Sequence, residues 1–545
     1  MHGLMMDIPL MISAIIRYAA DVNAEARVIS RSVEGPMHRY GYRDAYRRIC
    51  QLAHALRGFG VQADERVATL AWNGHRHFEL YYAISGIGAV CHTINPRLFR
   101  EQIVYIVNHA RDRYLCVDLT FLPLLEALAT ELKSVRGFIV MTDAEHMPKT
   151  ALPNALCYEE LLSGQPTQFD WPSFDERNAS ALCYTSGTTG NPKGVLYSHR
   201  STLLHAYSVL ATGMSGMSAE SVVLPVVPLF HVNAWGLPYT APMAGASLVF
   251  PGPRLDGASL LDLIESEEVT DAWGVPTVWL GLLNEARKRG ARFTSLKRVV
   301  IGGAAAPRAM IEAFENEFGV EVLHGWGMTE MSPVGSTSVL KPSAKHGPAR
   351  ARHDLKTKQG RPLFGVEMKI VDGAGKALPH DGVASGELRV RGPTITSGYF
   401  DDPQAGKDAF DAEGWFRTGD VATIDPDGLM QIVDRLKDVV KSGGEWISSI
   451  ALENAAMGHP RVAEAAVIGI AHPKWDERPL LVVVPAKDGA PSAEELRAYL
   501  AEKVAKWWLP DAIEFVAELP HGATGKLLKS ELRERFKNYR WPVVR

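Results

Sequence analysis

The chain has 545 residues, with 58 Lys and Arg against 62 Asp and Glu, so its net charge is −4. This balance gives no support for nucleic-acid binding, which usually requires a basic excess, and the length allows several domains. The five cysteines are far apart and include no CxxC pair. The sequence therefore predicts reduced, buried thiols in a cytoplasmic protein, without a zinc site or a disulfide framework.

Two apolar stretches are too short to span a membrane. Residues 9–16 follow an aspartate, which is unlike a signal peptide, and residues 80–94 contain two glycines and a histidine. A spanning helix needs roughly 20 apolar residues. We interpret both stretches as core or interface helices and expect no membrane-spanning segment.

Strand-like and helical patterns alternate along most of the chain. Residues 181–184 and 298–301 are predicted strands, each followed by a loop of small residues, and residues 202–211 form an amphipathic helical pattern. Strands that alternate with helices indicate an α/β fold with buried sheets.

The last quarter of the chain looks like a separate small domain. Residues 467–470, 480–484 and 512–516 are predicted strands, and a charged helix is expected from Leu527. Ser492 and Glu495 form a capping box, which predicts a helix over 492–508. The charged segment 434–441 joins this unit to the rest, and we expect it to be an exposed hinge.

One loop is rich in small and hydroxyl residues and ends in a lysine: residues 184–195 read YTSGTTGNPKGV. Such a loop can present backbone N–H groups, hydroxyls and one ammonium to polyphosphate oxygens. It is not a Walker A loop, because Pro-Lys-Gly replaces the required Gly-Lys-Ser/Thr. A short strand at 195–197 follows, so we expect a hairpin that closes over phosphates. The predicted phosphate-binding residues are Thr185, Ser186, Gly187, Thr188, Thr189, Gly190 and Lys193.

On this motif the sequence resembles the adenylate-forming superfamily of acyl-CoA synthetases, adenylation domains and luciferases. The resemblance covers nearly the whole chain and is strongest to bacterial medium- and long-chain fatty-acyl-CoA synthetases and to 3-(methylthio)propionyl-CoA ligases. Shared stretches are HTINPRLF (92–99), VVPLFHVNAWG (226–236), KSGGEWIS (441–448) and HPKWDERPL (472–480). It implies an enzyme that uses ATP and Mg²⁺ to convert a carboxylic acid into an acyl-adenylate and then transfers the acyl group to coenzyme A.

The resemblance also implies an architecture. A large multi-subdomain α/β domain that binds AMP and the acyl group is expected at 1–434, a hinge at 435–441, and a small mobile α+β domain at 442–545. Subfamily members suggest a homodimer formed through the N-terminal region.

The nucleotide site implied by the resemblance begins in HGWGMTE, residues 324–330. Trp326 replaces the commoner tyrosine and is expected to stack on adenine, with His324 and Gly325 beside it. Thr329 is expected to contact the α-phosphate. Glu330, together with Thr185, is expected to hold Mg²⁺, since carboxylates suit hard cations.

Ribose and catalytic residues follow from two further motifs. In WFRTGD (415–420), Asp420 matches the family residue that accepts hydrogen bonds from both ribose hydroxyls, and Arg435 adds a cation. In PHGATGK (520–526), Lys526 matches the catalytic lysine. Its ammonium would stabilise negative charge while the acid carboxylate meets the α-phosphate. That step needs no general base, because a carboxylate is already ionised at pH 7.

The acyl site implied by the resemblance lies in segments of small and apolar residues. Its expected lining residues are Val232, Trp235, Gly302, Gly303 and Gly327. His231, in PLFHVNAWG, is a candidate for a catalytic role or for a positional one.

The hinge and coenzyme A residues come from the segment after the hinge. Lys437 matches the family's pivot, and the loop with Lys441, Gly443, Gly444 and Glu445 is expected to move toward the site and admit a pantetheine arm. Trp446 resembles the residue that covers adenine.

The acid is the open question, since no residue pattern measures tunnel length. We expect a medium-chain fatty acid, with 3-(methylthio)propionate and long-chain acids as alternatives. A luciferase-like monooxygenase would share all these motifs. Retention of Lys526 and Glu330 disfavours a non-catalytic acyl-binding protein, and the lack of a carrier segment after the last unit disfavours a carrier-loading module.

Overall fold

The computed structural model describes residues 1, 3–185, 191–214, 216–443, 445–486, 489–521 and 527–541. Two largely parallel sheets, one antiparallel sheet and a C-terminal sheet organise this part of the chain. None of the helices within these ranges is both long enough and apolar enough to cross a membrane.

The first sheet has seven strands and is parallel except at its last pair. Its strands are almost continuously apolar because helices cover both faces, as is usual for parallel sheets. In spatial order they are Ala155–Cys157, Gly137–Val140, Tyr114–Val117, Arg66–Leu70, Val90–Thr93, Ala179–Tyr184 and Gly194–Ser198.

The second sheet has nine strands, with a parallel centre and antiparallel strands at both edges. Its strands in spatial order are Arg361–Pro362, Val334–Thr337, Glu321–Gly327, Arg298–Ile301, Asp271–Gly274, Val222–Pro225, Ser247–Phe250, Arg27–Arg31 and Met37–Gly41.

Helices fill the space between these two sheets and cover their outer faces. The largest hydrophobic cluster joins residues of both sheets, for example Cys91 and Val223, through the helices Ile12–Val22, Tyr42–Gly58 and His75–Gly86. The other α-helices up to residue 408 are Arg100–Ala110, Leu122–Leu128, Tyr158–Leu162, His199–Ala211, Leu237–Ala244, Gly257–Ser266, Pro276–Arg289, Arg308–Glu312, Pro342–Lys345, Ala349–Lys356 and Pro403–Asp408.

The third sheet is antiparallel, and the C-terminal sheet follows it along the chain. The third sheet contains Glu367–Val371, Ser385–Arg391, Phe416–Ile424 and Met430–Arg435. The C-terminal sheet contains Glu445–Ile447, Val440–Ser442, Asp476–Pro485, Val462–His472 and Ala512–Phe515, with the helices Ser449–Met457, Ala493–Ala501 and Lys529–Arg535.

Most elements expected from the sequence are confirmed. The predicted strands at 181–184 and 298–301 are the strands Ala179–Tyr184 and Arg298–Ile301, and the helix predicted at 202–211 lies within His199–Ala211. The capping box of Ser492 and Glu495 is present. All five cysteines are buried and free. The fold is the expected α/β one, with a large N-terminal region and a small C-terminal unit.

Two element boundaries were wrong. Residues 80–94 are not one helix: the helix ends at Gly86, and a strand begins at Val90. The helix predicted over 492–508 ends at Ala501, and Lys506–Trp508 forms a separate short turn. The chain has to reverse there, because the strand Ala512–Phe515 runs parallel to Asp476–Pro485 and pairs with it.

The segment 434–441 is less exposed than expected. Asp434 is fully buried as part of the strand Met430–Arg435, and its carboxylate accepts a hydrogen bond from the backbone N–H of Ser449 at 2.6 Å. Burial raises the pKa of Asp434, and the Lys529 ammonium lowers it. The segment therefore begins inside the third sheet, and its exposed part is short.

Candidate functional site

The predicted site residues of the N-terminal region follow the carboxyl ends of parallel strands. Loops leave the ends of Ala179–Tyr184, Val222–Pro225 and Arg298–Ile301, and a tight turn leaves Glu321–Gly327. Open α/β sheets form ligand crevices at this edge, because neighbouring loops diverge there and expose backbone groups. Contacts between the two sheets bring these segments together: the Tyr197 hydroxyl of the hairpin donates to Thr329 O at 2.6 Å, and Tyr184 lines a cavity with His231.

The strands on either side of the predicted phosphate-binding loop pair antiparallel, as expected for a hairpin. Tyr184 pairs with Gly194, and the N–H of Thr185 donates to Lys193 O at 2.9 Å. Residues 186–190, which carry the predicted Ser186, Gly187, Thr188, Thr189 and Gly190, lie outside the described residues.

Glu330 is held by a tyrosine that the sequence did not reveal. Its side chain is buried, and Oε1 accepts a hydrogen bond from the Tyr399 hydroxyl at 2.8 Å. The Lys193 ammonium lies 5.0 Å from the centre of the Tyr399 ring. Burial raises the pKa of Glu330, and the Tyr399 hydrogen bond opposes that rise. Since 69 residues separate Tyr399 from Glu330, no spacing pattern could have connected them.

Asp420 is a buried carboxylate whose two oxygens have different partners. The indole N–H of Trp326 donates to Oδ2 at 2.9 Å, and Arg435 Nε lies 2.9 Å from Oδ1. Asp420 is 2% exposed. A carboxylate oxygen can accept more than one hydrogen bond, which is the chemistry that recognition of a ribose diol would require.

Trp326 therefore does more than the sequence predicted. A stacking ring was expected, with the loss of the tyrosine hydroxyl as the only consequence of the replacement. The structure shows that the indole N–H orients the carboxylate of Asp420. The ring is 9% exposed, so most of its surface is already fixed by packing.

His324 lies in the core beneath the adenine segment. Its ring is fully buried: Nδ1 donates to Thr357 O at 3.1 Å, and Nε2 accepts from the N–H of Ala306 at 3.3 Å. Burial lowers the pKa of His324 to about 4, so the ring is neutral. The ring thus supports the loop after Arg298–Ile301, and the expected contact of His324 and Gly325 with a nucleotide stays a prediction.

The segment 226–236, which we name the acyl loop, contains an unusual left-handed turn. The φ angles are 44° at Val232, 52° at Asn233, 45° at Ala234, 58° at Trp235 and 83° at Gly236. A left-handed conformation costs an L-residue about 1–2 kcal/mol. Four consecutive non-glycine residues in this region, one of them β-branched, therefore require support from their surroundings.

This turn places Trp235 against the glycines that were predicted to line the acyl site. A Cβ on Gly302 would lie 2.9 Å from the Trp235 ring, and one on Gly303 would lie 3.9 Å from it. Only glycine at 302 permits this approach. At Gly327 a Cβ would lie 2.1 Å from Pro333 O, so the next turn also requires glycine there. The place of Gly327 in the acyl site stays a prediction.

His231 and Val232 line a small cavity between the acyl loop and the phosphate hairpin. Its other lining residues include Thr93, Asn95 and Tyr184. His231 therefore lies between the two predicted subsites, in agreement with a positional role as well as with a catalytic one.

The predicted hinge and coenzyme A residues lie in or beside the C-terminal unit. Lys437 is exposed, the N–H of Lys441 donates to Glu477 at 2.9 Å, and the N–H of Gly443 donates to Trp475 O at 2.7 Å. Trp446 pairs with Lys441 in the strand Glu445–Ile447. Gly444, the side chain of Glu445, and Lys526 lie outside the described residues.

We expect Trp326→Phe to weaken AMP binding about tenfold, because a hydrogen bond to a charged group is worth roughly 1.5–3 kcal/mol and each 1.4 kcal/mol is tenfold in affinity. Phenylalanine keeps a stacking ring and removes only the donor to Asp420. Isothermal titration calorimetry with AMP measures the effect. The control is Trp279→Phe, which removes a buried indole donor to Val300 O. An equal loss in both variants would contradict the role of Trp326.

Comparison with known proteins identifies the family. The AMP-binding enzyme family model matches residues 16–400, and the model of the AMP-binding enzyme C-terminal domain matches residues 451–526. The chain is 52% identical over 540 residues to a 3-methylmercaptopropionyl-CoA ligase of Ruegeria lacuscaerulensis, with 99% of each chain covered. It is 48% identical to a medium-chain-fatty-acid–CoA ligase of Ectopseudomonas oleovorans, with 98% of each covered.

Solved structures show the same fold. An anthranilate CoA ligase in complex with anthranoyl-AMP superposes with a TM-score of 0.86 at 27% sequence identity, and 98% of each chain is covered. The chain therefore belongs to the AMP-binding enzyme family, and its full-length relatives include acyl-CoA ligases.

Proposed function

We propose that the protein is an ATP-dependent acid–thiol ligase that converts a carboxylic acid into its coenzyme A thioester, with AMP and pyrophosphate as the other products. The observation that carries this function is the buried Asp420 carboxylate, which Trp326 of the second sheet and Arg435 of the third sheet orient. The hairpin of the first sheet contacts the same region, since the Tyr197 hydroxyl donates to Thr329 O and Tyr184 lines a cavity with His231 of the acyl loop. A diol acceptor, a polyphosphate loop and an apolar loop that lie together match ATP and an acid as joint substrates.

In the first step an oxygen of the acid carboxylate bonds to the α-phosphorus, and the bond from that phosphorus to the pyrophosphate oxygen breaks. Both reactants are anionic, so the step needs positive charge more than a base. Lys193 lies at the base of the hairpin, and Lys526 is the proposed source of the second ammonium. In the second step the coenzyme A sulfur bonds to the acyl carbon, the carbon–oxygen bond to AMP breaks, and the thiol proton is lost.

Mg²⁺ fits the residues at this site. Glu330 presents a buried carboxylate with a raised pKa, which a nearby cation would keep ionised, and the Thr185 hydroxyl stands at the base of the phosphate hairpin. The described residues contain no group of three or more His, Cys, Asp or Glu side chains that could hold a metal alone. Glu330 and Thr185 would therefore hold Mg²⁺ together with ATP oxygens, and the ion would supply charge neutralisation.

The two steps need different groups at one site, so we propose that the C-terminal unit is a mobile domain. The protein would then consist of an N-terminal domain at residues 1–434, a hinge at 435–441 and a C-terminal domain at 442–545. Rotation about Lys437 would exchange Lys526 for the loop with Lys441, Gly443 and Gly444. What supports this division is that Met430–Arg435 pairs in the third sheet, while Val440–Ser442 already pairs in the C-terminal sheet.

For the acid, 3-(methylthio)propionate is the first candidate and a medium-chain fatty acid the second. Two relatives at 52% and 51% identity are 3-methylmercaptopropionyl-CoA ligases. The medium-chain candidate rests on the relative at 48% identity, and a long-chain-fatty-acid–CoA ligase of Thermus thermophilus is 47% identical.

The protein is proposed to be a cytoplasmic homodimer. Its five free, buried cysteines suit a reducing compartment. Several apolar side chains near the N-terminus, among them Leu4, Met5 and Ile8, are exposed and offer a surface for a second copy.

We expect Lys526→Ala to slow pyrophosphate release at least about 100-fold, as the loss of one oxyanion donor does, and to spare thioester formation from supplied acyl-AMP. The two half-reactions are measured separately, by pyrophosphate release and by thioester appearance. The control Lys537→Ala removes an exposed lysine elsewhere in the C-terminal part of the sequence. Equal losses in both half-reactions would argue against the assignment of Lys526.

We expect Tyr399→Phe to move the acidic limb of the pH profile of pyrophosphate release to higher pH. Removal of the hydroxyl takes away a hydrogen bond that lowers the pKa of Glu330, so that pKa rises further, and the carboxylate becomes protonated at a higher pH. The control Tyr114→Phe changes a residue of the first sheet and removes a hydroxyl that donates to Phe59 O. An unchanged pH profile in Tyr399→Phe would show that the Tyr399 hydroxyl does not affect the ionisation of Glu330.

A panel of acids from propionate to palmitate, with 3-(methylthio)propionate included, identifies the substrate. We expect the highest kcat/KM with 3-(methylthio)propionate, and Trp235→Ala should move the optimum to longer acids, at about fourfold for each additional buried methylene. The control Trp507→Ala removes an exposed indole far from the acyl loop along the chain. A wild-type optimum near eight to twelve carbons, roughly the range that this increment favours, would select the second candidate.

A further inference from the structure

The acyl loop leaves the second sheet, but it is held by side chains from the segment that follows the strand Arg66–Leu70 of the first sheet. Asn73 follows the strand Arg66–Leu70, and Tyr81 lies in the helix His75–Gly86. Both side chains are buried, with Asn73 at 4% and Tyr81 at 0% exposure. Neither belongs to a motif that indicates catalysis or binding.

Both the nitrogen and the oxygen of the Asn73 side-chain amide form hydrogen bonds with backbone groups of residues 225–229, at the start of the acyl loop. Its Nδ2 donates to Pro225 O at 2.7 Å and to Val227 O at 2.9 Å, and its Oδ1 accepts from the N–H of Leu229 at 2.6 Å. An asparagine can donate two hydrogen bonds and accept others, so this arrangement fixes three backbone groups within five residues.

Tyr81 holds the second half of the loop, where the left-handed turn begins. Its hydroxyl donates to Leu229 O at 2.5 Å and lies 3.1 Å from Asn233 Oδ1. The same Oδ1 is 3.4 Å from the thiol of Cys183, at the end of the strand Ala179–Tyr184. The side chain of Asn233 thus contacts the helix His75–Gly86 and the end of the strand Ala179–Tyr184.

We propose that Asn73 and Tyr81 are positioning residues for acid binding, which hold the left-handed turn so that Val232 and Trp235 face the acyl site. The inference rests on the proposed function of the acyl loop. Neither residue touches a substrate in this role. The turn is unfavourable for Val232 and its neighbours on its own, so it persists because the buried hydrogen bonds from the first sheet favour it.

The role predicts a separation between the two substrates. The nucleotide residues Trp326, Asp420 and Arg435 lie on other strands and bond to one another. Relaxation of the acyl loop should therefore weaken the use of the acid and leave the use of ATP unchanged. A general loss of folding would affect both substrates together.

The decisive variant is Tyr81→Phe, which keeps the ring and removes the hydroxyl. We expect the KM for the acid to rise about tenfold, since a misplacement of about 1 Å can cost as much as 100-fold, while the KM for ATP stays within about twofold. Pyrophosphate release during separate titrations of acid and ATP gives both constants. Asn73→Asp, which loses both donors and keeps the acceptor for Leu229, should act in the same direction.

The matched control is Tyr42→Phe. Tyr42 is also fully buried, and its hydroxyl donates to a backbone carbonyl, Ala246 O, at 2.6 Å. Both variants should lower the thermal unfolding midpoint similarly, and only Tyr81→Phe should raise the KM for the acid. An unchanged acid KM in Tyr81→Phe, or an equal rise in Tyr42→Phe, would overturn the inference.

Failure of the proposed function would look different. If wild-type protein released no pyrophosphate with any acid of the panel, the ligase assignment itself would be wrong. If wild-type protein is active and Tyr81→Phe retains both KM values, the ligase assignment stands, and only the positioning role is lost.

Discussion

The carboxylate of Asp420 is the point on which the site depends, because three parts of the chain meet there. It stands on the third sheet, receives the indole N–H of Trp326 from the second sheet, and pairs with Arg435, where the chain leaves for the C-terminal unit. A buried carboxylate is costly unless it is paired and hydrogen-bonded. Trp326 and Arg435 help to meet this requirement and also fix the direction of the carboxylate, so the same contacts stabilise the fold and orient the proposed diol acceptor.

Structural features that depend only on residues close together in the sequence could be predicted. The hairpin at 184–195 follows from a strand, a run of small hydroxyl residues and a second strand, and the structure confirms the pairing of Tyr184 with Gly194. The alternation of strands and helices predicted the fold class, because the hydrophobic periodicity of each element can be recognised within a short stretch of sequence. The resemblance then supplied roles for Trp326, Glu330 and Asp420 that no local pattern contains.

Contacts between distant segments could not be predicted. Tyr399 reaches Glu330 across 69 residues, and Asn73 reaches the acyl loop across more than 150. Their residue types are common, and only the packing of one sheet against the other makes them neighbours. The buried Asp434 illustrates the same limit. Its charge predicted an exposed side chain, but the carboxylate is buried, where it accepts a hydrogen bond from the N–H of Ser449 and interacts with the ammonium of Lys529.

The support of the acyl loop by the first sheet has a consequence for protein engineering. A loop of this kind is an attractive unit for grafting, since residues 226–236 are contiguous and include the residues proposed to face the acid. Its backbone shape, however, depends partly on Asn73 and Tyr81, which lie in the segment after a strand of the other sheet. A graft transplanted without those two positions would carry the sequence of its donor and lose the donor's geometry. The transferable unit is therefore the loop together with its two anchors, which are discontinuous in sequence and contiguous in space.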